Sequence, residues 1–172
     1  MAWLWSAGCS CRHGGPAPRR RLRKRPGRRQ DSPGILTVAE ALRALGFVAF
    51  LFDLTGHGES EGTTDDSTLE QQVDDLGAAL NSLDGIDDVD HGRIGVVGAS
   101  SGAAVAVLGA AHDARIRVLV LRSANLAGAE APRFGGPRAL EVVPGGDHLF
   151  RDAVALARAA TATVDWFKAH LR

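Results

Sequence analysis

The sequence predicts an α/β fold, a mostly parallel sheet flanked by helices, on three observations. Two near-continuous apolar runs, residues 47–52 and 116–121, are β-prone, as strands covered on both faces are. Stretches with apolar residues at helical spacing lie between the strand-like runs. Glycine-rich turns fall just after the apolar runs, where open α/β sheets place their ligands.

With 172 residues, 45% hydrophobic and 23% charged, the chain has room for one domain with a sizeable core. No apolar run approaches the roughly 18 residues a bilayer span needs. The net charge of zero conceals an asymmetry. Residues 1–30 hold nine Arg or Lys and no acid, which leaves eleven basic and twenty acidic residues in 31–172. Residues 1–30 show no core-forming pattern, and their like charges repel, so they read as a basic, disordered extension preceding a domain over 31–172. Any nucleic-acid contact would be confined to that extension, and the absence of interleaved aromatics among Arg19–Arg29 argues against it. Cys9 and Cys11 both lie there, leaving the domain without a disulfide or a thiolate metal site. A reducing, cytoplasmic location is expected.

Each element has its own signal. Ile35, Leu36, Val38, Ala39, Leu42 and Leu45 recur at helical spacing, and Gly46 follows as the residue that ends the helix. The Phe47–Phe52 run ends at Asp53, and the loop to Gly62 is too glycine-rich for regular structure. Leu69, Val73, Leu76, Ala79, Leu80 and Leu83 define a second helix, with Asp65 and Asp66 near its positive end. After an acidic turn, the strand-like Arg93–Val97 leads into Gly98-Ala99-Ser100-Ser101-Gly102 and a run of small residues to Ala111. Ile116–Leu121 is a further strand and Ala139–Val143 another. Pro144-Gly145-Gly146-Asp147-His148 is then a turn, and residues 151–170 form the closing helix.

The chemistry is concentrated at Gly98–Gly102. Gly-x-Ser-x-Gly between a strand and a helix is a nucleophile elbow: the turn lifts the Ser100 hydroxyl clear of the sheet, and the glycines let strand and helix approach. The Ser101 amide would open the helix and point at a developing oxyanion.

Together with Asp53-Leu54-Thr55-Gly56-His57-Gly58-Glu59-Ser60 and Pro144-Gly145-Gly146-Asp147-His148, the elbow resembles the α/β-hydrolase superfamily in order and context, over residues 33–172. The likeness is to small bacterial esterases and dienelactone-hydrolase-like members. The resemblance implies a partial α/β-hydrolase fold, and a serine hydrolase acting on small-molecule carboxylic esters through an acyl-enzyme. Ser100 would be the nucleophile, His148 the base and the Ser101 amide an oxyanion donor, with no cofactor and no membrane partner. In the resembling family the loop histidine, here His57, shapes its turn; the residue type at Asp53 suggests that it caps or braces the loop through backbone hydrogen bonds.

Two departures from the family pattern stand out. Twenty-five residues separate Arg122 from His148, too few for the strand that normally carries the acid, so that strand reads as deleted and the core as truncated. Glu130 is the acid candidate by position, since it follows the Ile116–Leu121 strand; Asp147 is awkward because it adjoins the histidine, and Glu141 is the third carboxylate in reach. The front strand ending in His-Gly, whose loop supplies the second oxyanion donor, is also missing, with His13-Gly14-Gly15 as its only trace. These gaps motivate the alternative of a catalytically silent remnant or partner-binding protein. A dinucleotide loop is opposed by Ala104 in place of the last glycine and by the absence of tyrosine, and no Walker loop or metal-ligand spacing occurs.

Overall fold

The computed structural model describes residues 2–7, 33–126 and 137–171. In chain order the elements are β1 (Ala2–Ala7), α1 (Pro33–Arg43), β2 (Phe47–Phe50), α2 (Leu69–Leu83), β3 (Ile94–Ala99), α3 (Gly102–His112), β4 (Ile116–Arg122) and α4 (Ala153–His170). The sheet order is β2-β1-β3-β4. β3 and β4 pair in parallel, while β1 pairs antiparallel with both β2 and β3. Three strands therefore run one way and β1 alone runs against them, which keeps the expected mostly parallel direction with one reversed strand.

α1 and α2 form where the periodicity places them, and α3 where the run of small residues does. Gly46, at φ 87°, follows α1 in a conformation a side chain disfavours. The Thr68 hydroxyl caps α2 by accepting from the Gln71 amide at 3.2 Å, and the Asp152 carboxylate caps α4 by accepting from Ala155 at 2.8 Å.

The sheet separates two apolar layers. On one face Ile35, Val38 and Leu42 of α1 and Val164 and Phe167 of α4 pack with Val97 and Val118. On the other, Leu76, Leu80 and Leu83 of α2 and Val105 and Ala106 of α3 pack with Ile94, Val96 and Ile116. A bulge explains the charged residue inside the β4 run. The register passes from Ile94 opposite Ile116 to Gly95 opposite Val118, so Arg117 is the extra residue and stays exposed while its neighbours enter opposite layers. At the start of β4, Arg115 donates to Asp113, Asp84 and Asn81, tying the strand to the end of α2; the Arg115 hydrogen bond holds the Asp113 carboxyl below its ordinary pKa.

Two expectations need correction. Residues 1–30 read as free of any core-forming pattern, yet Ala2–Ala7 occupies an interior position of the sheet, between β2 and β3. Its apolar and aromatic residues suit a strand, but six residues beside a basic, glycine-rich stretch carry little local signal; the slot between two neighbouring strands decides. Conversely, Ala139–Val143 forms no strand, and Leu140 and Val142 are 89% and 73% exposed. A strand needs a partner edge, and this segment pairs with none among the described residues.

Candidate active site

The carboxyl ends of β2, β3 and β4 gather three loops. After β2, the loop closes on itself: Gly56 donates to the Glu61 carbonyl, Ser60 to that of His57, and the Ser60 hydroxyl to that of Asp53 at 2.6 Å. The Asp53 carboxylate accepts from the Glu59 amide at 3.0 Å, the bracing the residue types suggest. His57 is engaged in the same loop, its Nδ1–H donating to the Thr55 carbonyl at 3.0 Å. Asp75 of α2 anchors the loop by accepting from the Thr55 amide at 2.6 Å and hydroxyl at 2.8 Å.

After β3 comes the elbow. Ser100 has φ 55°, a left-handed conformation that costs a non-glycine residue about 1–3 kcal/mol and persists only where its surroundings enforce it. They do so here through hydrogen bonds on both sides: the Ser100 amide donates to the Arg122 carbonyl at 3.0 Å, and its carbonyl accepts from Ala103 at 3.1 Å and Asn125 at 3.0 Å. Gly98 makes the close approach possible, because a Cβ there would lie 2.5 Å from the Gly102 carbonyl oxygen and 2.8 Å from the Ala103 Cα. Ser101, exposed at the start of α3, makes no side-chain capping bond, and among the described residues its amide has no acceptor.

The third loop brings the histidine back. His148 Nε2 lies 2.9 Å from Ser100 Oγ, across 48 residues of chain. Asp147 is not its orienting acid: that carboxylate accepts from the Leu149 amide at 3.1 Å, the Arg151 amide at 2.9 Å and Arg151 Nε at 2.5 Å. The Arg151 hydrogen bonds, backbone first, hold the Asp147 carboxyl below its ordinary pKa. Glu141 is exposed and Glu130 lies outside the described residues, so among the described residues no carboxylate is bonded to His148 Nδ1. His13, Gly14 and Gly15 lie outside them too. β1 ends beside the start of β2, with Ala7 opposite Phe47, so the chain leaves it at the end of the sheet away from Ser100.

A pocket of about 160 Å³ opens beside the elbow, lined by Leu69 and Gln72 of α2, Ser101 and Ala104 of α3, and Asn125. Sequence reasoning missed these α2 residues, Asn125 and Arg122. Of these, only the charged Arg122 at the end of an apolar run carries a visible signal. Among the described residues no group of three or more His, Cys, Asp or Glu could hold a metal ion, and no helix is long and apolar enough to cross a membrane.

Comparison with known proteins assigns the chain to a family. The family model described as serine aminopeptidase, S33, matches residues 17–152. The chain belongs to this family, within the α/β-hydrolase superfamily. The match spans both glycine-rich loops, the elbow and the His148 turn, and begins inside the basic stretch. Among curated proteins, the chain is similar to an uncharacterized protein of Mycobacterium tuberculosis, found in strains CDC 1551 / Oshkosh and ATCC 25618 / H37Rv, with 43% identity over 86 residues. It is also similar to an uncharacterized 31.7 kDa protein of the traX-finO intergenic region of Escherichia coli, with 32% identity over 82 residues. These stretches are 50% and 48% of this chain, and 29% of each relative's length.

Proposed function

We propose that this S33-family chain is a serine hydrolase of small carboxylic esters, with Ser100 as nucleophile and His148 as general base. The observation that carries the reading is the 2.9 Å separation of His148 Nε2 and Ser100 Oγ. Ser100 Oγ attacks the ester carbonyl carbon while its proton passes to Nε2. The carbonyl oxygen becomes an oxyanion, and the Ser101 N–H, at the positive end of α3, is the available donor to it. Collapse breaks the bond to the alcohol, which leaves with the proton returned by His148. Water, deprotonated by the same imidazole, then releases the acid and regenerates Ser100.

Esters fit better than peptides, because an alcohol leaves more readily than an amine and no acid orients the imidazole among the described residues. The pocket of about 160 Å³ matches a short acyl or alcohol group. Incubation with a fluorophosphonate probe tests the assignment. Stoichiometric labelling that disappears in Ser100→Ala is expected; absence of labelling, or labelling that survives the substitution, refutes the nucleophile. A second reading, a silent member that binds a partner, is favoured by the absence, among the described residues, of a carboxylate bonded to His148 Nδ1. Ester turnover abolished in His148→Ala excludes it.

A further inference from the structure

Arg122 is a cation among apolar layers that the proposed mechanism does not use. It ends β4 on the side facing α1 and α4, and burial pulls its pKa down. Its Nη1 donates to the Gly34 carbonyl at 3.3 Å, whereas among the described residues its buried Nε has no acceptor and no carboxylate pairs with it. What lies against the guanidinium instead is a ring: its carbon sits 4.8 Å from the centroid of Phe150.

Phe150 is two residues beyond His148 and itself sits in a conformation that must be enforced, with φ 52°. Its amide closes the turn on the Asp147 carbonyl at 3.0 Å. Its ring folds back over Gly146, where an added Cβ would come within 3.0 Å of Phe150 Cε1. The turn carrying His148 is thus tied to β4 through Phe150, while the Asp147 bonds to Leu149 and Arg151 lie within the turn and hold its shape. The backbone carbonyl of the same Arg122 accepts from the Ser100 amide at 3.0 Å. One residue therefore holds the nucleophile with its main chain and the histidine-bearing turn with its side chain.

We propose that Arg122 and Phe150 form a clamp that sets His148 against Ser100, which makes Arg122 a positioning residue of the site. The proposal rests on the Ser100–His148 reading given above. A clamp acts on the chemical step: displacement of the imidazole by about an ångström lowers kcat on the order of a hundredfold while leaving substrate binding beside α2 and α3 untouched.

The test uses the full chain and p-nitrophenyl acetate, with Arg122→Met, Arg122→Lys and Phe150→Leu compared to wild type alongside thermal melts and fluorophosphonate labelling. The clamp predicts that Arg122→Met and Phe150→Leu lose kcat with little change in KM, and that Arg122→Lys, which keeps a cation over the ring, recovers most of it. Should Arg122→Met fail to fold, Phe150→Leu and Arg122→Lys carry the comparison. Folded variants with wild-type kcat overturn the clamp while the dyad stands, as does equal loss of kcat in Arg122→Lys and Arg122→Met. A wild type that neither labels nor turns over the ester refutes the dyad and the clamp with it.

Discussion

The two halves of the candidate site are built by different means. The elbow grows out of the core: Ile94 to Gly98 are buried, α3 covers them, and Ser100 is bonded on its amide and carbonyl sides. The His148 turn hangs outside. Leu140, Val142, Leu149 and Val154 around it are 66–89% exposed, and a few polar contacts and one ring hold it. The lesson is that the nucleophile's geometry is secured by global folding, whereas the base's geometry depends on local contacts that can fail while the fold survives.

Substitutions at each half separate these two dependences. The largest effect is expected at Gly98→Ala, whose methyl group meets backbone that cannot yield; overpacking of this kind costs about 1–3 kcal/mol. Melting temperature and fluorophosphonate labelling should fall together, and loss of labelling alone would show that the elbow is not core-supported. Asp147→Asn comes next. It keeps an oxygen for the Leu149 and Arg151 amides but removes the charge and the acceptor for Arg151 Nε, so labelling should slow on the order of tenfold, while melting stays near wild type because the group is at the surface.

The pH response sharpens the same contrast. With a folded-state pKa below its ordinary value, Asp147 supports the turn at all pH above the ordinary carboxylate range, and that support is lost as pH falls through the lowered value. Asp113, held down by Arg115, behaves likewise at the opposite end of β4. Neither carboxylate therefore weakens the fold between neutral and mildly acidic pH, so a melt monitored from pH 7 to 5 should show no transition assignable to them. The smallest effect is expected at Leu140→Ser, where an 89% exposed side chain outside any strand should change stability by no more than about 0.5 kcal/mol. A larger loss, read by denaturant titration, would mean that this segment packs after all.

Much of this was legible in the sequence where local pattern and global fold agree. Leu76, Leu80 and Leu83 announce α2 and are buried where the spacing puts them. Ser100 is legible because its glycine-flanked turn joins a buried strand to a helix, whereas His148 is legible only from its glycine-rich turn, since the Ala139–Val143 run before it is no strand. The failures have a common cause. Ala2–Ala7 becomes a strand because two neighbours flank it, and Ala139–Val143 does not because none does among the described residues; strand propensity describes a fit to a surface, not a property of six residues alone. The Arg122–Phe150 contact spans 28 positions and obeys no periodicity, so only the folded chain displays it.

The central claim is that Ser100 and His148 act as one unit. Steady-state hydrolysis of p-nitrophenyl acetate by wild type, Ser100→Ala, His148→Ala and the double variant tests it most directly. Each single substitution should cost on the order of a thousandfold in kcat, and the double variant should be no worse than either. Losses that multiply in the double variant, or turnover that persists in His148→Ala, would contradict it.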